Sequence, residues 1–180
     1  AVENWKYSDP ENYDLTAEIA AYHGIEARHI MVGEGIDGLL GLTCMMFVAP
    51  GDAVVTTDGA YPTFYFHVIA HGGRLIRLPM RDDREDLAAL IDTARRERAK
   101  LAYVSNPNSP MGTCWGANEI SQMIAELPSD TVLVLDEAYV DTAPVGTAPP
   151  LDVANPNVIR YRTFSKAYGL AGARIGYAVG

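Results

Sequence analysis

The chain has 180 residues, 48% of them apolar, a length and composition that suit one domain with a single core. Its formal net charge is −9 and Lys and Arg form no block, which excludes the electrostatic footprint of a protein that binds nucleic acid or an anionic membrane. No run approaches the roughly 18 uninterrupted apolar residues of a membrane helix, and the first residues lack the charged-then-apolar order of a secretion signal, so the expected location is the cytoplasm.

In chain order, helix-like segments alternate with short apolar strands. A helix is expected over residues 14–23, a strand over 29–32, a helix over 36–48 that stops at Pro50-Gly51, and a strand over 53–57. Pro62 suits a first helical turn and opens a helix over 62–70, with a strand over 74–78 after it. The alternation continues with helices over 84–98 and 117–126 and strands over 100–104, 131–135, 158–163 and 174–179. Seven strands with intervening helices predict a three-layer α/β/α domain around a mostly parallel sheet. Val132-Leu133-Val134-Leu135 is apolar on both faces, as a strand covered by helices on two sides must be. Residues 142–157 contain four prolines and no clear period, and read as a surface excursion.

The residues that carry chemistry follow predicted strands. Asn106-Pro107-Asn108-Ser109-Pro110-Met111-Gly112 follows the fourth, Asp136 the fifth and Ser165-Lys166 the sixth. Ligands of open α/β sheets bind at those carboxyl ends, so an amide, a carboxylate and an amine converge there. Asp136 ends an apolar run and is partly desolvated, so it needs a cationic partner, for which a protonated pyridine nitrogen would serve. The plainer alternative is a helix-capping aspartate.

Lys166 lies in Thr163-Phe164-Ser165-Lys166-Ala167-Tyr168-Gly169-Leu170-Ala171-Gly172-Ala173-Arg174. An amine, hydroxyls and a guanidinium around one turn are the equipment for holding a phosphorylated aldehyde, pyridoxal 5'-phosphate, through a Schiff base. Ser165 and Arg174 are the phosphate donors in this reading; in the alternative, Lys166 is a surface lysine and Arg174 begins the last strand. Gly33-Glu34-Gly35-Ile36-Asp37-Gly38 opens the second helix and turns free amides and the positive helix end towards a phosphate. That run also matches G-x-G-x-x-G, and Asp58 stands 20 residues after Gly38, so a nicotinamide-dependent dehydrogenase is a competing reading. Tyr61 would lay its ring on a planar cofactor, Tyr139 would donate to a phenolic oxygen, and Tyr168 is expected to pack against the sheet. His67 and His71 have helical spacing but no third ligand, and Cys44 and Cys114 have no metal-type spacing, so no metal is expected.

Together these motifs resemble the fold-type I pyridoxal-phosphate aminotransferases of class I/II, the group that includes histidinol-phosphate aminotransferase. The resemblance covers nearly the whole chain. It implies that residues 1–180 form one large domain with an antiparallel last strand, the N-terminal arm and C-terminal small domain lying outside it. It also implies that Lys166 forms the Schiff base and shuttles the proton, Asp136 binds the pyridine nitrogen, Tyr139 the phenolic oxygen, and Tyr61 the ring face. The phosphate would be held by the backbone of Gly33, Glu34 and Gly35 with Ser165, Arg174 and Thr163. In a homodimer, Tyr7 would reach the partner subunit's phosphate. Ser109 replaces an asparagine of the family's Asn-Pro-Asn-Asn-Pro-Thr-Gly; its hydroxyl reaches less far, so Asn108 or a water is the alternative donor. The implied substrates are an amino acid, or an amino-alcohol phosphate such as histidinol phosphate, and a 2-oxo acid. Lyases, decarboxylases and cyclases on the same scaffold are the second reading.

Overall fold

The structure, a computed structural model, describes residue 7 and residues 9–180. Its regular elements are α1 (Tyr13–His23), β1 (Ile30–Gly33), α2 (Gly35–Phe47), β2 (Ala53–Thr57), α3 (Pro62–Ala70) and β3 (Arg74–Leu78) in the first half. The second half holds α4 (Leu87–Glu97), β4 (Leu101–Ser105), α5 (Ala117–Glu126), β5 (Val132–Asp136), β6 (Val158–Thr163) and β7 (Gly176–Val179). The seven strands form one sheet in the order β1-β7-β6-β5-β4-β2-β3. It is parallel except for β7, which runs antiparallel to both β1 and β6. The chain thus adopts the expected three-layer α/β/α arrangement.

Alternation along the strands sorts side chains between two cores. Val54, Leu101, Tyr103, Val134 and Ala178 pack on Leu39, Leu40, Phe64 and Val68 of α2 and α3. Val55, Ala102, Val104, Leu133 and Leu135 face the other way, onto Leu90, Ile91, Ala94, Ile120 and Met123 of α4 and α5. On that side α1 also sets Ile19 against Tyr177 and Val179. Burying one such Leu, Ile or Phe stabilises by ~1.5–3 kcal/mol relative to exposure, so the central strands are a rigid platform for whatever stands at their ends.

Three boundaries differ from expectation in ways that matter. β4 and β5 run one residue beyond the predicted stretches because Ser105 and Asp136 pair across the sheet, which makes Asp136 the last residue of its strand. α4 begins at Leu87 rather than at 84, because Asp86 caps it, the carboxylate accepting from the Ala89 amide at 3.1 Å. Arg81 and Arg84 instead bridge across a tight turn in which Asp82 and Asp83 are left-handed (φ 51° and 57°). That turn sends Glu85 inward, to 2% exposure. The irregular stretch after Thr142 is tied down by several bonds, among them those in which the Thr147 carbonyl accepts from Asn106 Nδ2, the Pro150 carbonyl from Arg160 Nη1 and the Gly146 carbonyl from the Ala117 amide.

Candidate functional site

β4, β5 and β6 are parallel neighbours, so Ser105, Asp136 and Thr163 stand at one edge of the sheet. With 4.7–4.9 Å between strands, three adjacent ends span about 10 Å, the length of a small planar ligand. Because β7 is antiparallel to both β1 and β6, β1 points the same way as β6 and delivers the start of α2 to that edge. Glycines permit the close approach. A Cβ on Gly176 would lie 2.9 Å from the Gly35 carbonyl carbon and the Ile36 nitrogen, and one on Gly35 (φ 74°) would lie 2.7 Å from Arg174 Nη2. The guanidinium rests against the first turn of α2 in space that position 35 leaves open by having no side chain.

The result is an open cleft with a cavity volume of about 150 Å³. Ser105, Ser109, Asp136, Tyr139, Thr163, Ser165, Lys166 and Arg174 line it. Tyr61 and Asp37 also border it. Asp136 is 5% exposed. Its Oδ2 accepts from the Tyr103 hydroxyl at 2.8 Å and its Oδ1 from the Ala138 amide at 3.0 Å. Burial raises its pKa, and the Tyr103 bond, the Ala138 amide and the charge of Lys166 offset this only in part. A buried carboxylate held by neutral donors favours a cation. Tyr103 is itself fixed by stacking on Phe64, with ring centroids 4.4 Å apart.

Lys166 lies on an exposed turn, its Nζ 5.2 Å from the centre of the Tyr139 ring. The turn is closed by the Leu170 amide donating to the Phe164 carbonyl at 3.0 Å. Ser165 is oriented by its own amide, which donates to Thr163 Oγ1 at 3.1 Å. Arg174 is left-handed (φ 54°, ψ 46°), a strained conformation for a residue with a side chain. Its Nη1 donates to the Ala171 carbonyl at 3.1 Å, and its Nη2 is the group that approaches Gly35.

Eight residues named from the sequence border this cleft, namely Lys166, Asp136, Tyr139, Tyr61, Ser109, Thr163, Ser165 and Arg174. Others are used elsewhere. Asn108 is 2% exposed; its Nδ2 donates to Glu85 Oε1 at 2.8 Å and its Oδ1 accepts from the Met111 amide at 3.2 Å, so it secures the loop while Ser109 faces the cleft. Gly33 makes room for the Leu39 side chain, whose Cδ2 would lie 2.6 Å from a Cβ there. Glu34 is exposed at the N-cap position of α2. Tyr7 is fully exposed, and its neighbours Lys6 and Ser8 lie outside the described residues. Tyr168 does not pack against the sheet. It stands on the exposed turn, 49% exposed, and leans on Phe164. Asp58, the acidic member of the dinucleotide pattern, pairs with Arg77 at 3.2 Å and is no part of the cleft wall. Among the described residues no cluster of metal-ligating side chains occurs.

Sequence reasoning missed three participants. Asp37 borders the cleft from the first turn of α2, and Tyr103 holds Asp136 from β4. Glu137 is 1% exposed and bridges Arg160 and Arg162 behind the site. The signals were a lone tyrosine in an aliphatic strand and two arginines at the period of one strand face. A second hollow, with a cavity volume of about 580 Å³, lies between the segment from Arg81 to Ala88 and α5. Its walls come from loop and helix residues, with Arg81 paired to Asp86 and Arg84 over Trp115.

Residues 2–180 match the family model described as aminotransferase class I and II. The histidinol-phosphate aminotransferase of Moorella thermoacetica is 37% identical over 177 residues, which cover 96% of this chain and 46% of that protein. The crystal structure of histidinol-phosphate aminotransferase from Sinorhizobium meliloti in complex with pyridoxal-5'-phosphate superposes with a TM-score of 0.94 at 52% identity, covering 98% of this chain and 48% of that one. L-threonine-O-3-phosphate decarboxylase from Porphyromonas gingivalis has the same fold, with a TM-score of 0.81 at 23% identity over 98% of this chain and 54% of that one. The chain spans about half the length of the relatives it matches.

Proposed function

The chain belongs to the class I and II aminotransferases, and we propose that residues 1–180 are the cofactor-binding large domain of a pyridoxal 5'-phosphate enzyme that transfers an amino group to a 2-oxo acid. The amino donor is an amino acid or an amino-alcohol phosphate such as histidinol phosphate; the Moorella and Sinorhizobium proteins support the latter by their names. The observation that carries the reading is one cleft that gathers a lysine amine, a buried carboxylate and an arginine laid against a helix start.

The residues present fit the cofactor. Asp136 is a buried carboxylate bonded by two neutral donors, which suits a protonated ring nitrogen, and Gly35 leaves room for the Arg174 guanidinium at the helix N-terminus, which suits a phosphate. Bound there, the cofactor supplies an aldehyde that takes up the amino group and a ring that accepts electrons from the reacting carbon. The protein's own residues do the rest. Lys166 provides the amine for attachment and, once displaced, the base that moves the proton. Ser165 and Thr163 add hydroxyls to the phosphate cup, with the backbone of Gly33, Glu34 and Gly35 beside them. Tyr61 covers the ring face. Tyr139 and Ser109 offer hydroxyls to the phenolic oxygen; with Asn108 committed to Glu85, Ser109 or a water takes the place of the family's asparagine.

The active unit in this reading is a homodimer in which Tyr7 reaches the partner subunit's phosphate. Met45, Met46, Phe66 and Ile69 of α2 and α3 are all more than 60% exposed, an apolar face that a second subunit would cover. Two free cysteines suit a reducing, cytoplasmic compartment. Among the described residues no helix is long and apolar enough to cross a membrane.

Measurements on the whole protein test the proposal. Borohydride should fix the bound cofactor to the peptide containing Lys166, and Lys166→Ala should abolish transamination; full activity without Lys166 would sink the reading. The shared fold of the Porphyromonas decarboxylase makes product analysis the second test, since release of carbon dioxide instead of a 2-oxo product would move the assignment to a decarboxylase.

A further inference from the structure

Asp37 is out of place in a phosphate site. It belongs to the first turn of α2 and borders the cleft, where its carboxylate would repel an anion drawn to the helix amides and Arg174. The structure shows what restrains it. Asp37 Oδ1 accepts a hydrogen bond from His67 Nε2 at 3.1 Å, reaching across from α3. The imidazole has a seat prepared for it on α2, because a Cβ at Gly41 would lie 3.1 Å from both His67 Cε1 and Nδ1. Glycine in a helix interior is unfavourable against alanine; here it is the opening through which the ring reaches the carboxylate one turn earlier. The last turn of α3 is also fixed, with His71 Nδ1 donating to the His67 carbonyl at 2.8 Å.

We propose that His67 is a positioning residue for phosphate binding, holding the Asp37 carboxylate towards α3 so that the first-turn amides of α2 and Arg174 face the anion unopposed. The inference rests on the cleft being the pyridoxal 5'-phosphate site. Its specific consequence is that His67 matters to the phosphate and not to the rest of the cofactor.

The test uses the whole protein, stripped of cofactor and titrated at one pH with pyridoxal 5'-phosphate and, separately, with pyridoxal, which lacks the phosphate. His67→Leu should weaken binding of the phosphorylated aldehyde about tenfold, equivalent to ~1.4 kcal/mol, while pyridoxal binding changes by less than about twofold. His67→Gln, which keeps a donor, should recover most of the loss. In an Asp37→Asn background the same His67→Leu change should cost little, because the repulsion is already gone. Equal losses for both aldehydes, no loss for either, or an undiminished penalty in the Asp37→Asn background would each overturn the inference while leaving the cofactor reading intact. A wild-type protein that binds neither aldehyde would overturn both.

Discussion

Glu137 is where a single substitution should do most damage without touching the cleft. Its carboxylate is 1% exposed and accepts three charged hydrogen bonds, two from Arg160 (Nε at 3.1 Å, and Nη2) onto Oε1 and one from Arg162 Nε at 3.0 Å onto Oε2. The arginine side chains are only 5% and 13% exposed. Desolvation presses the pKa of Arg162 down, but the charge and hydrogen bond of Glu137 outweigh it and raise the pKa above its ordinary value. Glu137→Ala would leave two buried guanidinium groups without their counter-charge. Breaking such a pair from one side costs about 3–5 kcal/mol, about a fifth or more of the ~5–15 kcal/mol that holds a typical domain together. Replacing Glu137, Arg160 and Arg162 together by apolar residues of similar volume should cost far less, because no orphaned charge remains. The assay is urea unfolding of the whole protein followed by circular dichroism, comparing midpoints at equal slope. A Glu137→Ala penalty below about 1 kcal/mol, within the range of an exposed ion pair, would refute the claim that this triad is a buried, charge-compensated unit.

Two further outcomes follow from buried or capping carboxylates. Burial raises the pKa of Glu85 above 4.5, and its bonds from Asn108 and Ser105 only partly oppose that. A folded pKa above the unfolded one contributes stability below about 4.5 that is lost as pH rises through the folded value. Glu85→Gln should therefore gain stability relative to the wild type as pH rises from 4 to 8, read from unfolding midpoints at both pH values; a pH-independent difference would show that Glu85 does not titrate abnormally. Asp86→Ala removes the α4 cap bond to Ala89 and should cost ~1 kcal/mol, with Asp86→Asn restoring most of it. An unchanged thermal midpoint for the alanine variant would rule out the cap as a stabilising contact.

Much of the site was legible because each of its groups follows a run whose apolar pattern marks a strand. Once β4, β5 and β6 are parallel neighbours, Ser109, Asp136 and Lys166 have to emerge at one edge, and the spacing of Ser165 and Arg174 around two glycines supplies the turn between β6 and β7. Asn108 and Ser109 show the limit of that logic. Adjacent residues in a loop point in different directions, and only the inward turn of Glu85, set by left-handed Asp82 and Asp83, decides that Asn108 is consumed as a clamp. Tyr168 is similar, since the turn that presents Lys166 carries the tyrosine outward with it.

Local chemistry alone therefore settles the alternation of elements, their approximate bounds and the list of groups available to hold a phosphorylated aldehyde. These depend on periodicity, capping and proline or glycine punctuation, which act over a few residues. Contacts between segments far apart in the chain settle the rest. The Tyr103 hydroxyl meets Asp136 across 33 positions, His67 meets Asp37 across 30, and Arg160 meets Glu137 across 23. Each of these pairs joins a carboxylate to a donor on another element. Whether a charge is repelled, restrained or compensated depends on which donor the folded chain brings within about 3 Å of it, and no local pattern carries that distance.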